Sequence, residues 1–180
     1  AEVQGFLATI SGSAQHLGAM LDGLRELSRV GSLPLAPGPL ALRVLVQEVF
    51  AELARSYAPR QLALDVDVPD AAVVVDAALL RVVLRALLDN AWKFTSRVPE
   101  SEAYVVVRGR QVAGDWVLEV QDNGAGFVAT HPEQALRMFG RLHAVSAFPG
   151  LGVGLAVAAK AAQRLGGTLQ LTALQPAGCR

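Results

Sequence analysis

The glycine-rich stretch at residues 149–155, read PGLGVGL, most limits what this chain can fold into. Glycines at 150, 152 and 154 run directly into a helical pattern, AVAAKAAQRLGG. Without Cβ atoms the main chain can approach another group closely. The first N–H groups of a helix lack partners within the helix, and together with the helix dipole they attract anions. The pattern predicts an anion-binding loop, with a flexible turn as the alternative.

Two familiar phosphate loops do not match this stretch. Leu155 takes the last glycine position of G-x-G-x-x-G, and no G-K-S/T sequence of a Walker A loop occurs. The ligand class therefore has to come from residues elsewhere in the chain.

Apolar periodicity predicts the elements around this loop. Residues 3–27 repeat apolar side chains every seven residues, which predicts a long amphipathic helix packed in a bundle between chains or against its own domain. Prolines and glycines at residues 31–39 predict a linker. The remaining predicted elements are a helix at 40–57, strands at 61–68 and 72–75, a helix at 77–95 capped by Asp76, strands at 104–110 and 116–121, a helix at 153–165 and a last strand at 168–174. This mixture indicates an α+β sandwich, one sheet covered by helices on one face.

Composition narrows the function classes. Lys plus Arg number 16 and Asp plus Glu number 16, so the overall charge does not indicate a nucleic-acid surface or a polybasic membrane anchor. Cys179 is the only cysteine, which excludes an internal disulfide and a zinc-cysteine cluster and fits a reducing compartment. No apolar run reaches the roughly 18 residues that span a bilayer. We therefore expect a cytoplasmic protein, with no nucleic-acid partner and no membrane contact from these residues.

A carboxylate stands on the apolar face of a predicted strand. In residues 116–122, strand alternation places Asp122 on the same face as Trp116, Leu118 and Val120. A carboxylate there needs a hydrogen-bond donor to offset its desolvation, and the following NGAG lets the backbone turn away. The pattern predicts a pocket for a flat ligand that carries a donor, with a turn-capping aspartate as the alternative.

The predicted helix after Asp76 carries polar residues on one face. Ala86, Asn90 and Lys93 lie at i, i+4 and i+7. An amide oxygen can ligate Mg²⁺, and a lysine one turn further can reach a phosphate. The alternative is a hydrogen-bonded core amide followed by a lysine whose stem covers apolar surface.

Four segments occur in a fixed order: LLDNAWKFT, VQDNGAGF, MFGRLH and FPGLGVGLAVA. Together they resemble the N, G1, F and G2 boxes of histidine kinase ATP-binding domains, over about residues 40–174. The segment AQHLGAMLDGLRELSRVG is similar to the second helix of that family's dimerisation and phosphoacceptor hairpin. The RLH and FPG segments, with NAWKF, are most similar to the kinase modules of phytochrome-type light sensors, which implies a photoreceptor.

The resemblance implies a fold and an activity. The fold is a two-layer α/β sandwich of the Bergerat ATP-binding type, preceded by a long dimerisation helix. Residues 1–30 would be the second hairpin helix without the first, 31–39 a linker and 40–180 the catalytic domain. The domain would bind Mg-ATP and donate the γ-phosphate to a histidine outside these residues, with a response regulator and a second copy of the chain as partners.

The resemblance also implies roles for single residues. Asn90 would ligate Mg²⁺, Lys93 would contact phosphate and Asp122 would accept the adenine amino group. The other residues of the implied ATP site are Gly124 and Gly126 in the nucleotide pocket, Phe139, Arg141 and His143 in the ATP lid, Gly150, Gly152 and Gly154 at the phosphates, and Leu155 beside them. Arg141 and His143, taken alone, are equally consistent with ordinary surface.

Two residues depart from the family pattern. Ala86 stands where a polar residue usually precedes the Mg²⁺ asparagine, and Leu151 stands where a small hydroxyl residue is common. Both changes remove a contact and raise the alternative of a kinase-weak or kinase-dead module that acts as a response-regulator phosphatase or docking scaffold. A gyrase- or MutL-type ATPase is a further alternative, but such enzymes place a glutamate at the position of Ala86.

Overall fold

The computed structural model describes residues 2–128, 131–141, 148, 150–175 and 177–180. Its helices are α1 (Glu2–Ser32), α2 (Leu42–Ser56), α3 (Ala77–Phe94) and α4 (Gly154–Arg164), with short 3₁₀ helices at Thr95–Arg97 and Pro132–Leu136. Its strands are β1 (Gly38–Leu40), β2 (Ala63–Asp67), β3 (Val73–Val75), β4 (Tyr104–Val112) and β5 (Asp115–Asp122). Within the described part of the chain, no helix has the length and apolar character needed to cross a membrane.

The strands form two sheets. β2 pairs parallel with β4, and β4 pairs antiparallel with β5, while β1 pairs antiparallel with β3 in a separate sheet. On one face of the larger sheet, Val105 and Val107 pack with residues of α2 and α3 in the core. On the opposite face Arg110 pairs with Glu119 across the strands, 3.0 Å apart. The predicted two-layer α+β sandwich is confirmed, with two sheets in place of one.

Helix α3 belongs to both hydrophobic cores. Leu84 and Leu88 on one side pack with α2 and the larger sheet. Leu79 and Val83 on another side pack with α4. Because i, i+4 spacing keeps each set on its own side of the helix, α3 is held from two directions. Asn90 lies on the same side of α3 as Val83, two turns further along, where the helix reaches the cavity.

The C-terminal part of α1 packs against its own domain. Val30 is fully buried and lies in a core with α3 and α4 residues, and Leu27 packs against that core. Arg164 donates hydrogen bonds to the carbonyl oxygens of Val30 (3.0 Å), Gly31 and Leu33. These carbonyls lie at the end of the helix, where intrahelical partners are lacking, so Arg164 caps α1 from α4.

The upstream part of α1 presents an exposed apolar column. Ile10, Leu17 and Leu24 are 63%, 61% and 47% exposed, and Leu21 beside them is also exposed. The sequence left open whether α1 packs between chains or against its own domain, and the answer differs between the two parts of the helix. The C-terminal part contacts its own domain, and the described part of the chain contains nothing that covers the column.

Two predicted segments differ in the structure. Helix α1 runs to Ser32, and Gly38–Leu40, at the end of the predicted linker, forms β1 because it pairs with β3. The strand predicted at 168–174 is reduced to a bridge between Ala173 and Cys179. A strand needs a partner for its backbone groups, and within the predicted strand only residues 172–174 bond to residues 178–180.

Asp76 joins the start of α3 to the segment after α1. Its Oδ1 accepts the Leu79 N–H at 3.0 Å and its Oδ2 accepts the Ala36 N–H at 2.8 Å. Asp76 therefore caps α3, as predicted, and also fixes the approach to β1. These donors, Ala36 first, hold the pKa of Asp76 below its usual value.

Replacing Asp76 tests this double role. We expect Asp76→Ala to lower the free energy of unfolding by about 2 kcal/mol, because the buried N–H of Leu79 and the partly buried N–H of Ala36 lose their acceptor. Asp76→Asn, which keeps one acceptor oxygen, should lose less, and the exposed Asp70→Ala should lose little. Because the folded-state pKa of Asp76 is lowered, its stabilisation is present above about pH 4 and is lost as pH falls through the folded-state pKa. Urea denaturation from pH 2 to 7 measures both effects, and an equal cost for Ala at every pH would contradict the assignment.

Candidate functional site

A cavity of about 1100 Å³ lies between β5, α3 and the N-terminus of α4. It brings together most of the residues predicted as a site. The predicted residues that line it are Asn90, Lys93, Asp122, Gly126, Arg141, Gly150, Gly152, Gly154 and Leu155. Ala86 and Leu151, the two departures from the family pattern, line it as well. Gly124 and Phe139 lie outside the lining, and His143 lies outside the described residues.

Asp122 ends β5 and is only 6% exposed. The β4–β5 register places it on the face that carries Val120 and Leu118, as the alternation predicted. Its Oδ1 accepts the Gly124 N–H at 2.8 Å, and its main chain pairs with Cys179. Burial raises the pKa of Asp122 to about 6, against the opposing effect of the Gly124 N–H. A ligand N–H that donated to this carboxylate would relieve the cost of its desolvation.

The two glycines after Asp122 let the chain turn against the end of α3. A Cβ at Gly124 would lie 2.6 Å from the carbonyl carbon of Phe94. The Ala125 N–H donates to the same carbonyl at 3.1 Å. Gly126 has a φ of +59°, a conformation that favours glycine. Gly124 therefore shapes the wall behind Asp122, while Gly126 lies on the cavity surface.

Asn90 and Lys93 lie in the last two turns of α3, with Asn90 in line with Val83. The Lys93 Nζ donates to the Asn90 Oδ1 at 3.2 Å and lies 4.6 Å from the centre of the Phe94 ring. The pKa of Lys93 is lowered, mainly by burial and further by Arg141, while Asp89 opposes the shift. A partly buried ammonium group beside an amide oxygen gains from an anion, since an anion offsets the cost of desolvating the charge.

The glycine loop passes directly above this pair. A Cβ at Gly150 would lie 3.4 Å from the Lys93 Nζ, and a Cβ at Gly154 would lie 4.0 Å from the Cβ of Ala86. Gly150 and Gly152 have φ values of +140° and +71°. Helix α4 begins without a side-chain cap, so its first N–H groups are available to a ligand in the cavity.

Arg141 contacts the main chain next to the loop. Its guanidinium donates to the carbonyl oxygens of Phe148, at 2.8 Å, and of Gly150. The resemblance implies a place in the ATP lid for this residue, with ordinary surface as the alternative. In the structure Arg141 holds the main chain at the start of the glycine loop, and it also lines the cavity.

Sequence reasoning missed an aromatic pair beside the site. Phe148 is buried, and its ring meets the Phe94 ring edge to face with centroids 5.0 Å apart. The Arg97 guanidinium lies 4.8 Å from the Phe148 ring centre. Both phenylalanines stand inside the quoted motifs, so the available signal was an aromatic residue next to Lys93 and another two positions before Gly150.

The described residues contain no group of three or more His, Cys, Asp or Glu side chains that could hold a metal ion. The amide oxygen of Asn90, which lines the cavity, is a type of atom that Mg²⁺ accepts as a ligand.

The mixed sheet under helices, with a glycine loop and an uncapped helix N-terminus above Asn90 and Lys93, defines an α+β nucleotide-binding domain of the ATPase type. The chain belongs to the family described as "Histidine kinase-, DNA gyrase B-, and HSP90-like ATPase", whose model matches residues 75–180.

Relatives within this family are sensor proteins. The C4-dicarboxylate transport sensor protein DctB of Rhizobium meliloti (strain 1021) is 30% identical over 168 residues, 92% of this chain. The chain spans 26% of the length of that protein. The match confirms that the chain carries the ATPase-type domain of sensor histidine kinases, and a docking module without kinase function is not favoured.

Two solved structures share the fold. The Acinetobacter baumannii histidine kinase AdeS gives a TM-score of 0.68 at 23% identity, over 96% of this chain and 79% of that one. Full-length ShkA in complex with AMPPNP gives 0.72 at 22% identity, over 99% of this chain and 37% of that one. The likeness confirms the predicted fold class.

The raised pKa of Asp122 makes a prediction about stability. A carboxyl whose pKa is higher in the folded state stabilises the fold below its unfolded pKa, near 4, and loses that contribution as pH rises through about 6. Asp122→Asn removes the buried charge. We expect the variant to gain up to about 3 kcal/mol relative to wild type between pH 4 and pH 8. Denaturation of both proteins across this range measures the gain, and a difference that does not change with pH would contradict the assigned burial of the charge.

Proposed function

We propose that this chain is the ATP-binding catalytic part of a two-component sensor histidine kinase, and that it presents the γ-phosphate of Mg-ATP to a histidine outside residues 1–180. The observation that carries the proposal is one cavity lined by a buried carboxylate, Asp122, and by groups suited to anions, Lys93 and the glycine loop. Such a cavity complements a molecule with a donor on one end and phosphates on the other.

Asp122 would bind the adenine end. A buried carboxylate with a raised pKa favours a ligand that donates an N–H to it, and the exocyclic amino group of adenine is such a donor. Gly126 and Phe127, which follow Asp122 in the chain, also line the cavity and are uncharged. The base would therefore be held by one charge-assisted hydrogen bond and apolar contacts.

Lys93 and the N-terminus of α4 would bind the phosphates. The loop glycines leave no side chain between the backbone N–H groups and the cavity, and the Lys93 ammonium lies near Gly150. The charge of the phosphates would offset the burial cost of Lys93.

The residues that line the cavity fit a magnesium ion that would bind together with the nucleotide. The Asn90 amide oxygen is neutral and lies on the cavity surface, where it could ligate the ion without adding charge. When bound, Mg²⁺ would supply charge neutralisation and orientation of the phosphate oxygens.

In the proposed transfer, an imidazole nitrogen of the acceptor histidine forms a bond to the γ-phosphorus as the bond to the bridging β,γ-oxygen breaks. ADP leaves with the bonding electron pair, and the other ring nitrogen of the imidazole releases its proton to water, which leaves the phosphorylated ring uncharged. This chain would contribute positioning through Asp122 and the loop, and charge stabilisation through Lys93.

The proposal extends to the assembly. Residues 1–30 would be the second helix of a dimerisation hairpin, 31–39 a linker and 40–180 the catalytic domain. The exposed column of Ile10, Leu17 and Leu24 supports contact with a second copy, because a continuous apolar stripe on a helix favours burial against another helix.

Three further proposals concern the whole protein. A response regulator would receive the phosphoryl group, as expected of a sensor kinase. The protein would act in the cytoplasm. A phytochrome-type, light-sensing input rests on the RLH, FPG and NAWKF segments alone.

The role of Asp122 can be tested by calorimetric titration of Mg-ATP. We expect wild-type protein to bind and Asp122→Asn to bind at least about tenfold more weakly, because a charge-assisted hydrogen bond is lost. The exposed Asp67→Asn is the matched control and should bind as wild type does. Wild-type affinity should fall below about pH 6 as the carboxyl takes up a proton. Unchanged affinity in Asp122→Asn would overturn the assigned adenine contact.

The role of Asn90 can be tested by comparing ATP affinity with and without Mg²⁺. In wild type we expect magnesium to strengthen binding. In Asn90→Ala the two affinities should approach each other, because the protein ligand to the ion is gone. Gln47→Ala, an exposed amide on α2, should keep the wild-type ratio. A full magnesium effect in Asn90→Ala would exclude Asn90 as the ligand.

A further inference from the structure

Between Gly150 and Gly154 the glycine loop has two side chains, those of Leu151 and Val153. Val153 packs against helix α1. A Cβ placed on Gly23 would lie 2.6 Å from the Val153 Cγ1, 3.0 Å from its Cγ2 and 3.2 Å from its Cβ. The whole isopropyl group therefore lies against the bare backbone of α1. No methyl group could be added at Gly23 without moving Val153.

Other glycines of α1 show that this contact is particular to position 23. A Cβ at Gly12 or Gly18 would meet nothing within 4 Å. Glycine is unfavourable inside a helix, since it loses the most backbone freedom on folding. At Gly23 the missing side chain is matched by a neighbour that occupies its space.

The loop has little room to shift without consequence. The backbone of Gly152 abuts the main chain of Phe139 and Gly140, so that a Cβ there would lie 2.9 Å from the Phe139 carbonyl carbon. Helix α1 is itself held on α4 by the hydrogen bonds from Arg164 to its C-terminal carbonyls. A displacement of Val153 is therefore passed to the backbone between Gly152 and Gly154.

We propose that Gly23 is a positioning residue for the glycine loop, so that the placement of α1 sets the geometry of the phosphate-binding end of the site. This inference rests on the proposed ATP-binding function. Helix α1, which has the exposed apolar column, is thereby connected through the side chain of Val153 to the residues that would contact phosphate. Position 23 lies far along the chain from the loop, and none of the four segments that resemble the N, G1, F and G2 boxes includes it.

A size exchange tests the contact in the 180-residue chain. Gly23→Ala should weaken Mg-ATP binding on the order of tenfold, as expected when one charge-assisted hydrogen bond to a phosphate is lost. Adenosine, which lacks phosphates, should bind Gly23→Ala as it binds wild type. Adding Val153→Ala to Gly23→Ala leaves only the 3.2 Å contact between Cβ atoms and should recover most of the loss. Gly18→Ala, on open helix surface, is the matched control and should bind both ligands normally.

Backbone hydrogen exchange provides a readout that needs no nucleotide. We expect the amides of residues 150–155 to exchange faster in Gly23→Ala and to return towards the wild-type rate in the double variant. Equal weakening of ATP and adenosine, or exchange and ATP affinity unchanged in Gly23→Ala, would overturn the inference. If wild-type protein failed to bind ATP, the proposed function would fall, while the exchange result would still decide whether α1 positions the loop.

Discussion

The close approach of α4 to α3 is the constraint on which the site depends. Gly154 and Ala86 face each other across this contact, with space for a methyl group and little more. Interhelical distance follows the size of the side chains at the contact, so small residues bring the first turn of α4 close to Asn90 and Lys93. Ala86 departs from the family pattern as a polar ligand, but it fits this packing. The small side chain of Ala86 thus accounts both for the missing polar group at this position and for the close approach of α4.

The site is assembled at a cost to the fold. Asp122 is a carboxylate on the apolar face of β5, and Lys93 is an ammonium group partly removed from water. Both pKa shifts have burial as their main cause and both disfavour the charged form. A protein selected only for stability would not bury these two charges. Their presence in one cavity is consistent with a ligand that compensates them.

Much of the fold could be predicted from the sequence, because α3, β4 and β5 have strong periodic patterns. Asp122 and Asn90 were placed on the correct faces for the same reason. Long-range pairing was harder to predict. Nothing local in residues 38–40 indicates that β3 will pair with them, and residues 168–174 have a strand pattern without a neighbour along most of their length.

Contacts between distant segments were also beyond the sequence patterns. The heptad pattern of α1 gave its apolar columns but not which part would lie on α4. Arg141 was expected in the ATP lid from the resemblance, whereas its partners in the structure are carbonyl oxygens, which no sequence pattern specifies. Phe148 and Phe94 meet only because the chain folds back between them.

Helix α1 joins two surfaces, the exposed apolar column and the contact between Gly23 and Val153. Its exposed column and Gly23 lie on different faces of the helix, because Gly23 and Leu24 are successive residues, and a continuous helix transmits rotation about its axis along its length. With Cα atoms about 2.3 Å from that axis, a turn of roughly 20° moves the backbone at Gly23 by about 0.8 Å. That distance is comparable to the overlap that an added methyl group would create against Val153. A rotation of α1 by this small angle is therefore large enough to shift the side chain of Val153 in the loop that lines the cavity.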